Sequence, residues 1–163
     1  MTSSDDPWLT SEQQSVWRAW LEVAARMPVA LGRDLQRRNR LSLSDFDVLV
    51  QLSEHPAGKL RFAALAEALQ WERSRLSHHV GRMQRRGLVD REECVDDARG
   101  AFVVLAEAGR EAIEAAAPDH VALVRSLVFD ALTLEETEQL GAILAKLSEQ
   151  LAAPTGARGA SAP

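Results

Sequence analysis

The sequence predicts a mainly helical α+β chain: a helix-turn-helix followed by a β-hairpin wing, set between long N- and C-terminal helices. Three observations predict it. In residues 73–86, Leu76, Val80 and Met83 recur at i, i+4 and i+7, which makes one side of a helix apolar. Residues 62–69, with Leu65 and Leu69 four apart, lead into that helix through Gln70-Trp71-Glu72, a connection of helix-turn-helix length. Residues 88–95 and 101–105 read as strands around the turn formers Asp96 to Gly100, which spells a hairpin.

Taken in order, residues 1–10 read as a frayed end in which Trp8 and Leu9 can still pack. A helix follows over 11–38. Its apolar face runs through Trp17, Trp20, Leu21, Ala24, Met27 and Leu31 to Leu35, and Pro28 is expected to kink or split it. A second helix is predicted over 44–53, capped by Ser44 with Asp47 in a capping box, and stopped by His55-Pro56-Ala57-Gly58. A short strand at 59–62 is placed to join the wing sheet. Gly87 should end the 73–86 helix as a left-handed C′ residue. No glycine serves the turn at 70–72, and Glu72 is a poor N-cap. Gly81 costs a helix about 1 kcal/mol relative to Ala; it either permits a close backbone approach or is simply tolerated. Residues 107–132 are expected to be helical with a bend at Pro118, and Thr133-Leu134-Glu135-Glu136 spells the capping box of a last helix through Leu151.

At 163 residues the chain is long enough for a substantial core, and its net charge is −5. An acidic chain argues against indiscriminate nucleic-acid binding. The charge is uneven, however. Residues 59–91 hold eight basic and three acidic side chains, a local excess of +5 that leaves −10 for the remainder. A basic patch on an acidic chain points to a localised DNA footprint. On the predicted helix, Ser74, His78, Arg82 and Arg85 gather opposite the apolar stripe, with Arg73 and Arg75 beside them and His79 next to His78. Arginine fits a guanine edge bidentately, and Ser or His bonds a base or a phosphate. A solvated helix face is the usual fate of charge, but it normally intersperses acids, and here only Glu72 is near. Lys59 is placed to touch a phosphate, and Arg99 at the hairpin tip to enter a minor groove, where narrow width concentrates negative potential.

The run Arg75-Leu76-Ser77-His78-His79-Val80, then Arg82-Met83 and Gly87-Leu88-Val89, followed by Asp97-x-Arg99, Leu105 and Gly109, resembles the MarR family of bacterial winged-helix transcription regulators. The resemblance spans roughly residues 10 to 150. It implies a homodimer on double-stranded DNA, most often a repressor, released by a small aromatic effector. It also implies that helix 73–86 reads the major groove, that Arg99 is the wing arginine and that Asp97 orients it. Ala106 stands where the family usually has Thr. The expected organisation is a dimerisation helix over 11–40, the winged helix-turn-helix over 41–105, C-terminal dimerisation helices over 106–152 and a disordered tail over 153–163. The DNA-facing set is Lys59, Arg73, Ser74, Arg75, His78, His79, Arg82, Arg85, Asp97 and Arg99.

No catalytic or nucleotide-binding motif is present, so no enzyme activity and no cofactor are expected. His55, His78, His79 and His120 are too scattered to predict a metal site. The single Cys94 excludes an intramolecular disulfide, and its acidic neighbours Glu92 and Glu93 favour a structural thiol. No signal peptide or membrane-length apolar run is seen, so a cytoplasmic protein is expected. Trp20, Arg26 and His120 are candidate effector contacts, with packing the commoner role of tryptophan stripes. The alternative reading is a winged-helix module that binds another protein and no DNA.

Overall fold

The computed structural model describes residues 7–93 and 101–152. Six helices and three strands follow one another as α1 (Ser11–Asn39), α2 (Leu43–Glu54), β1 (Lys59–Arg61), α3 (Phe62–Ala68), α4 (Arg73–Arg85), β2 (Val89–Glu93), β3 (Ala101–Leu105), α5 (Glu107–Leu127) and α6 (Leu134–Ala152). A 3-10 turn at Phe129–Ala131 separates the last two helices, so α5 stops short of the 132 expected. The strands form one antiparallel sheet in the order β1-β3-β2. Leu60 pairs with Val103, and Val103 with Arg91, so β3 lies between the other two. This is a winged helix-turn-helix with helices on both sides in sequence. The expected wing tip with Asp97 and Arg99, the position of Cys94 and the tail at 153–163 lie outside the described residues.

Contacts divide the chain between Val121 and Ala122, inside α5. The first unit holds the core. Leu49 and Leu52 of α2, Leu65 of α3, Leu76, Val80 and Met83 of α4, and Val89 and Val103 of the sheet are all fully buried. Each such side chain contributes about 1.5–3 kcal/mol by leaving water. The i, i+4, i+7 stripe read from the sequence is therefore the face α4 packs inward. Gly109 permits a tight approach at the start of α5: a Cβ there would lie 2.0 Å from the carbonyl oxygen of Leu88. In the second unit, α6 is opened by the expected capping box. Thr133 Oγ1 accepts from the Glu136 amide at 3.2 Å, and the Thr133 amide donates to Glu136 at 2.8 Å. None of the α6 side chains is buried.

Two local expectations were wrong in detail, and a third is narrowed to one of its two outcomes. The α2 cap is Ser42 with Asp45, not Ser44 with Asp47: the Asp45 amide donates to Ser42 Oγ at 3.0 Å and the Ser42 amide to Asp45 Oδ2 at 2.9 Å. The segment Ser42-Leu-Ser44-Asp45-Phe-Asp47 spells the motif twice, and tertiary partners of Asp45 decide between the two. Pro28 does not split α1, which runs as one helix of 29 residues. Thr10 is not frayed but caps α1, forming a reciprocal pair with Gln13.

The turn that lacks a glycine is made by Gln70, at φ +53. The Gln70 amide donates to Glu67 O and the Trp71 amide to Ala66 O, the paired bonds that close a helix through a left-handed residue. The Gln70 side chain adds a third bond to Glu67 O at 2.8 Å, which offsets part of the strain of that conformation. Gly87, at φ +72, closes α4 in the same way, as its position predicts.

Candidate nucleic-acid interface

α4 presents a continuous polar face. Arg73, Ser74, Arg75, Ser77, His78, Arg82, Gln84 and Arg85 are exposed, while Leu76, Val80 and Met83 point inward. Among the described residues, Arg73, Arg75, Arg82 and Arg85 make no ion pair. Their charge is left available. Glu72 makes no side-chain cap at the start of α4. The first-turn amides there lack a capping side chain, and the helix dipole adds positive potential at the same end. At thirteen residues α4 is about 20 Å long, a body that a major groove about 12 Å wide admits.

His79 is the exception among the site residues predicted on α4. It is 6% exposed and turns inward. Its position explains this. It lies three residues after Leu76 and four before Met83, within the apolar stripe rather than opposite it. Its burial turns the ring away from the exposed face of α4, on which one of its partners, Arg82, lies. Its Nδ1 is 2.7 Å from Arg82 Nη2. Its Nε2 is 3.0 Å from Asp45 Oδ1, a short approach in which the N–H does not aim squarely at the oxygen. Trp71 meets the His79 ring edge-on with centroids 5.3 Å apart, and the Arg75 guanidinium lies 4.1 Å from the centre of a Trp71 ring.

Asp45 is the anchor of this cluster. It is 4% exposed. Besides His79 and its cap, it accepts from Arg86 Nη1 at 2.7 Å. Arg86 also donates to the carbonyl of Arg40, the left-handed residue that ends α1. Burial pushes the Asp45 carboxyl up, but the close approach of His79 and the hydrogen bonds from Ser42 and Arg86 outweigh it and hold it well below the usual carboxylate range. Two residues on, Asp47 is pushed up by burial, opposed by the charges of His120, Arg75 and His79. His120 stacks on Phe46 at 4.2 Å, and burial lowers its pKa against the pull of Asp47 and Asp34.

The sheet supplies the neighbouring cations. Lys59 pairs with Glu92 at 2.8 Å and also lies 5.2 Å from the centre of the Phe102 ring. Its charge is therefore partly neutralised, unlike those of α4. Arg91 of β2 donates to the carbonyl of Ser77 at 3.1 Å and lies 5.5 Å from the centre of the Phe62 ring, tying strand to helix. Trp71, Ser77, Arg86 and Arg91 were not singled out as site residues. The sequence carries a signal for Trp71 alone, an aromatic in a helix-turn-helix connection beside an arginine-rich helix.

The sequence profile of the MarR family matches residues 41–100. No protein of curated function matches the chain in sequence. Among solved structures, AbsC of Streptomyces coelicolor, a MarR family transcriptional regulator, is 40% identical; the match covers 90% of this chain and 98% of AbsC at a TM-score of 0.84. The chain belongs to the MarR family. Sco3205, a second MarR family regulator of Streptomyces coelicolor, solved in complex with DNA, is likewise 40% identical, with a TM-score of 0.87 over 94% of this chain and 95% of that one. The MepR–DNA complex of S. aureus shares the fold at 23% identity and a TM-score of 0.74, over 88% and 99% of the two chains. In this MarR-family protein the profile match begins at Leu41 and ends at residue 100, so it takes in α2, β1, α3, α4 and β2 and stops just short of β3.

Proposed function

We propose that this MarR-family protein is a homodimeric, sequence-specific DNA-binding regulator, acting as a ligand-responsive repressor in the cytoplasm. The observation that carries the reading is the unpaired cationic face of α4. Each protomer sets α4 in a major groove, with Arg75, Arg82 and Arg85 toward base edges and phosphates. The wing, with Arg99 oriented by Asp97, reaches the adjacent minor groove. Lys59 contributes to the phosphate contacts.

Dimerisation is supported by apolar surface on the terminal helices, residues 11–40 and 106–152. On α1, Trp17 is 52% and Trp20 45% exposed, and Val16, Leu21 and Val23 are exposed with them. On α6, Leu134, Ile143, Leu147 and Leu151 are exposed. Apolar helix faces of this size mark interaction surfaces. Two-fold symmetry then gives a pseudo-palindromic operator with half-sites about 10 bp apart. An aromatic effector would act by favouring one spacing of the two reading helices over another.

Selection of bound duplexes from a random pool tests the reading. A pseudo-palindrome should be enriched. Arg75→Ala should then weaken binding and relax base preference, and Arg99→Ala should weaken binding with a shallower salt dependence. Failure to enrich any duplex, together with capture of a protein partner, would establish the protein-binding alternative instead.

A further inference from the structure

We infer that Asp45 and His79 are positioning residues for DNA reading: the buried imidazole holds the Arg82 guanidinium in its reading pose, and Asp45 fixes the imidazole. This deepens the functional reading above and rests on α4 being the helix that contacts DNA.

The argument starts from one distance. Arg82 Nη2 stands 2.7 Å from His79 Nδ1. A guanidinium nitrogen always carries hydrogen and has no lone pair to offer. Nδ1 must therefore be the acceptor, and the ring proton must sit on Nε2. That is the side on which Asp45 places a carboxylate oxygen at 3.0 Å. A negative oxygen so close favours a proton on the facing nitrogen, so Asp45 selects the tautomer that Arg82 requires. The chain Asp45–His79–Arg82 thus runs from the buried cap of α2, through the packed side of α4, to its exposed face.

The rest of the cluster makes this chain rigid. Asp45 is pinned by the Ser42 amide at 2.9 Å and by Arg86 at 2.7 Å. His79 is buried and has the Trp71 ring against its edge. A free arginine samples many rotamers and must lose that freedom when it engages a base. An arginine already hydrogen-bonded at one nitrogen has lost part of it before binding, and four of its five N–H donors remain to meet the DNA. Arg73 and Arg85 have no hydrogen-bonding partner of this kind among the described residues, which singles out Arg82 on α4.

The test is a double-mutant cycle on the full-length protein, read as affinity for the selected duplex. His79→Leu fills the volume without an acceptor, and His79→Asn places an amide oxygen near the Nδ1 position. Circular dichroism and thermal melting establish that each variant is folded. In the wild-type background His79→Leu should weaken binding about three- to tenfold, the scale set by ordering one arginine side chain. In the Arg82→Ala background the same change should have almost no further effect, and with Arg82 present His79→Asn should lose much less than His79→Leu. A packing role predicts the opposite: equal losses in both backgrounds, with no recovery by Asn, and that result overturns the inference. A measurement on the wild-type protein stands beside the cycle, should His79→Leu fail to fold. The 15N spectrum of His79 should show Nδ1 bare and Nε2 protonated, and the other tautomer overturns the inference. A wild-type protein that binds no duplex overturns the DNA-binding reading as well, whereas additive losses in a protein that binds remove the positioning role alone.

Discussion

Replacing Asp45 with Ala should destabilise the protein severely, and the size follows from what the carboxylate touches. Three losses combine. The α2 capping box disappears, which costs about 1 kcal/mol. The buried His79 Nε2 loses the carboxylate oxygen that stands 3.0 Å from it, at about 1–3 kcal/mol. Arg86 is 43% exposed on its side chain, so it regains water and adds about 0–1 kcal/mol. Together these give about 2–5 kcal/mol at pH 7, a melting temperature lower by about 4–20 °C for a chain of this length. Urea unfolding followed by tryptophan fluorescence, at one fixed protein concentration, measures it. The pH dependence is a second check. The folded pKa of Asp45 lies below its unfolded value of about 3.9, so its stabilisation is complete above that value and is lost as pH falls through the folded one. The gap between wild type and Asp45→Ala should therefore stay constant from about pH 5 to 8 and narrow below about pH 4. A loss under about 0.5 kcal/mol at pH 7, or a gap unchanged at pH 3, would refute the assignment of Asp45 as a buried anchor.

Other outcomes follow from single positions. Gly109→Ala puts a methyl group 2.0 Å from the backbone oxygen of Leu88, so the start of α5 must move; a thermal melt should show a loss of at least about 1–3 kcal/mol. Gly81→Ala meets nothing within 4 Å and should stabilise α4 by up to about 1 kcal/mol; weaker DNA binding by the stabilised variant would show that the backbone at Gly81 approaches the duplex. Trp20→Glu places a charge on the apolar face of α1 and should shift a dimer toward monomer in sedimentation; an unchanged dimer would remove α1 from the proposed interface.

Elements with a strong local signal were legible without coordinates. The Thr133–Glu136 box, the Gly87 terminus and the Leu76–Val80–Met83 stripe all depend on contacts within a few residues, and each stands where the sequence puts it. The segment around Ser42 was not decidable locally, because it spells Ser-x-x-Asp twice in overlapping positions. Arg86, 41 residues away from Asp45, breaks the tie. Gln70 was also illegible: its left-handed turn is bridged by its own side chain rather than signalled by glycine.

What the sequence determined by itself is the placement of positive charge on one helix and of apolar residues on its opposite side, since helical periodicity alone sorts side chains by angle. What only the tertiary structure decided is which polar residues go inward. His79 carries a polar ring, and composition would leave it in water. Arg82, three residues on in α4, meets one ring nitrogen locally, but the α2 carboxylate comes to 3.0 Å from the other only when α2 and α4 pack. Burial of a polar group depends on finding such partners across the fold, and no short stretch of chain specifies that.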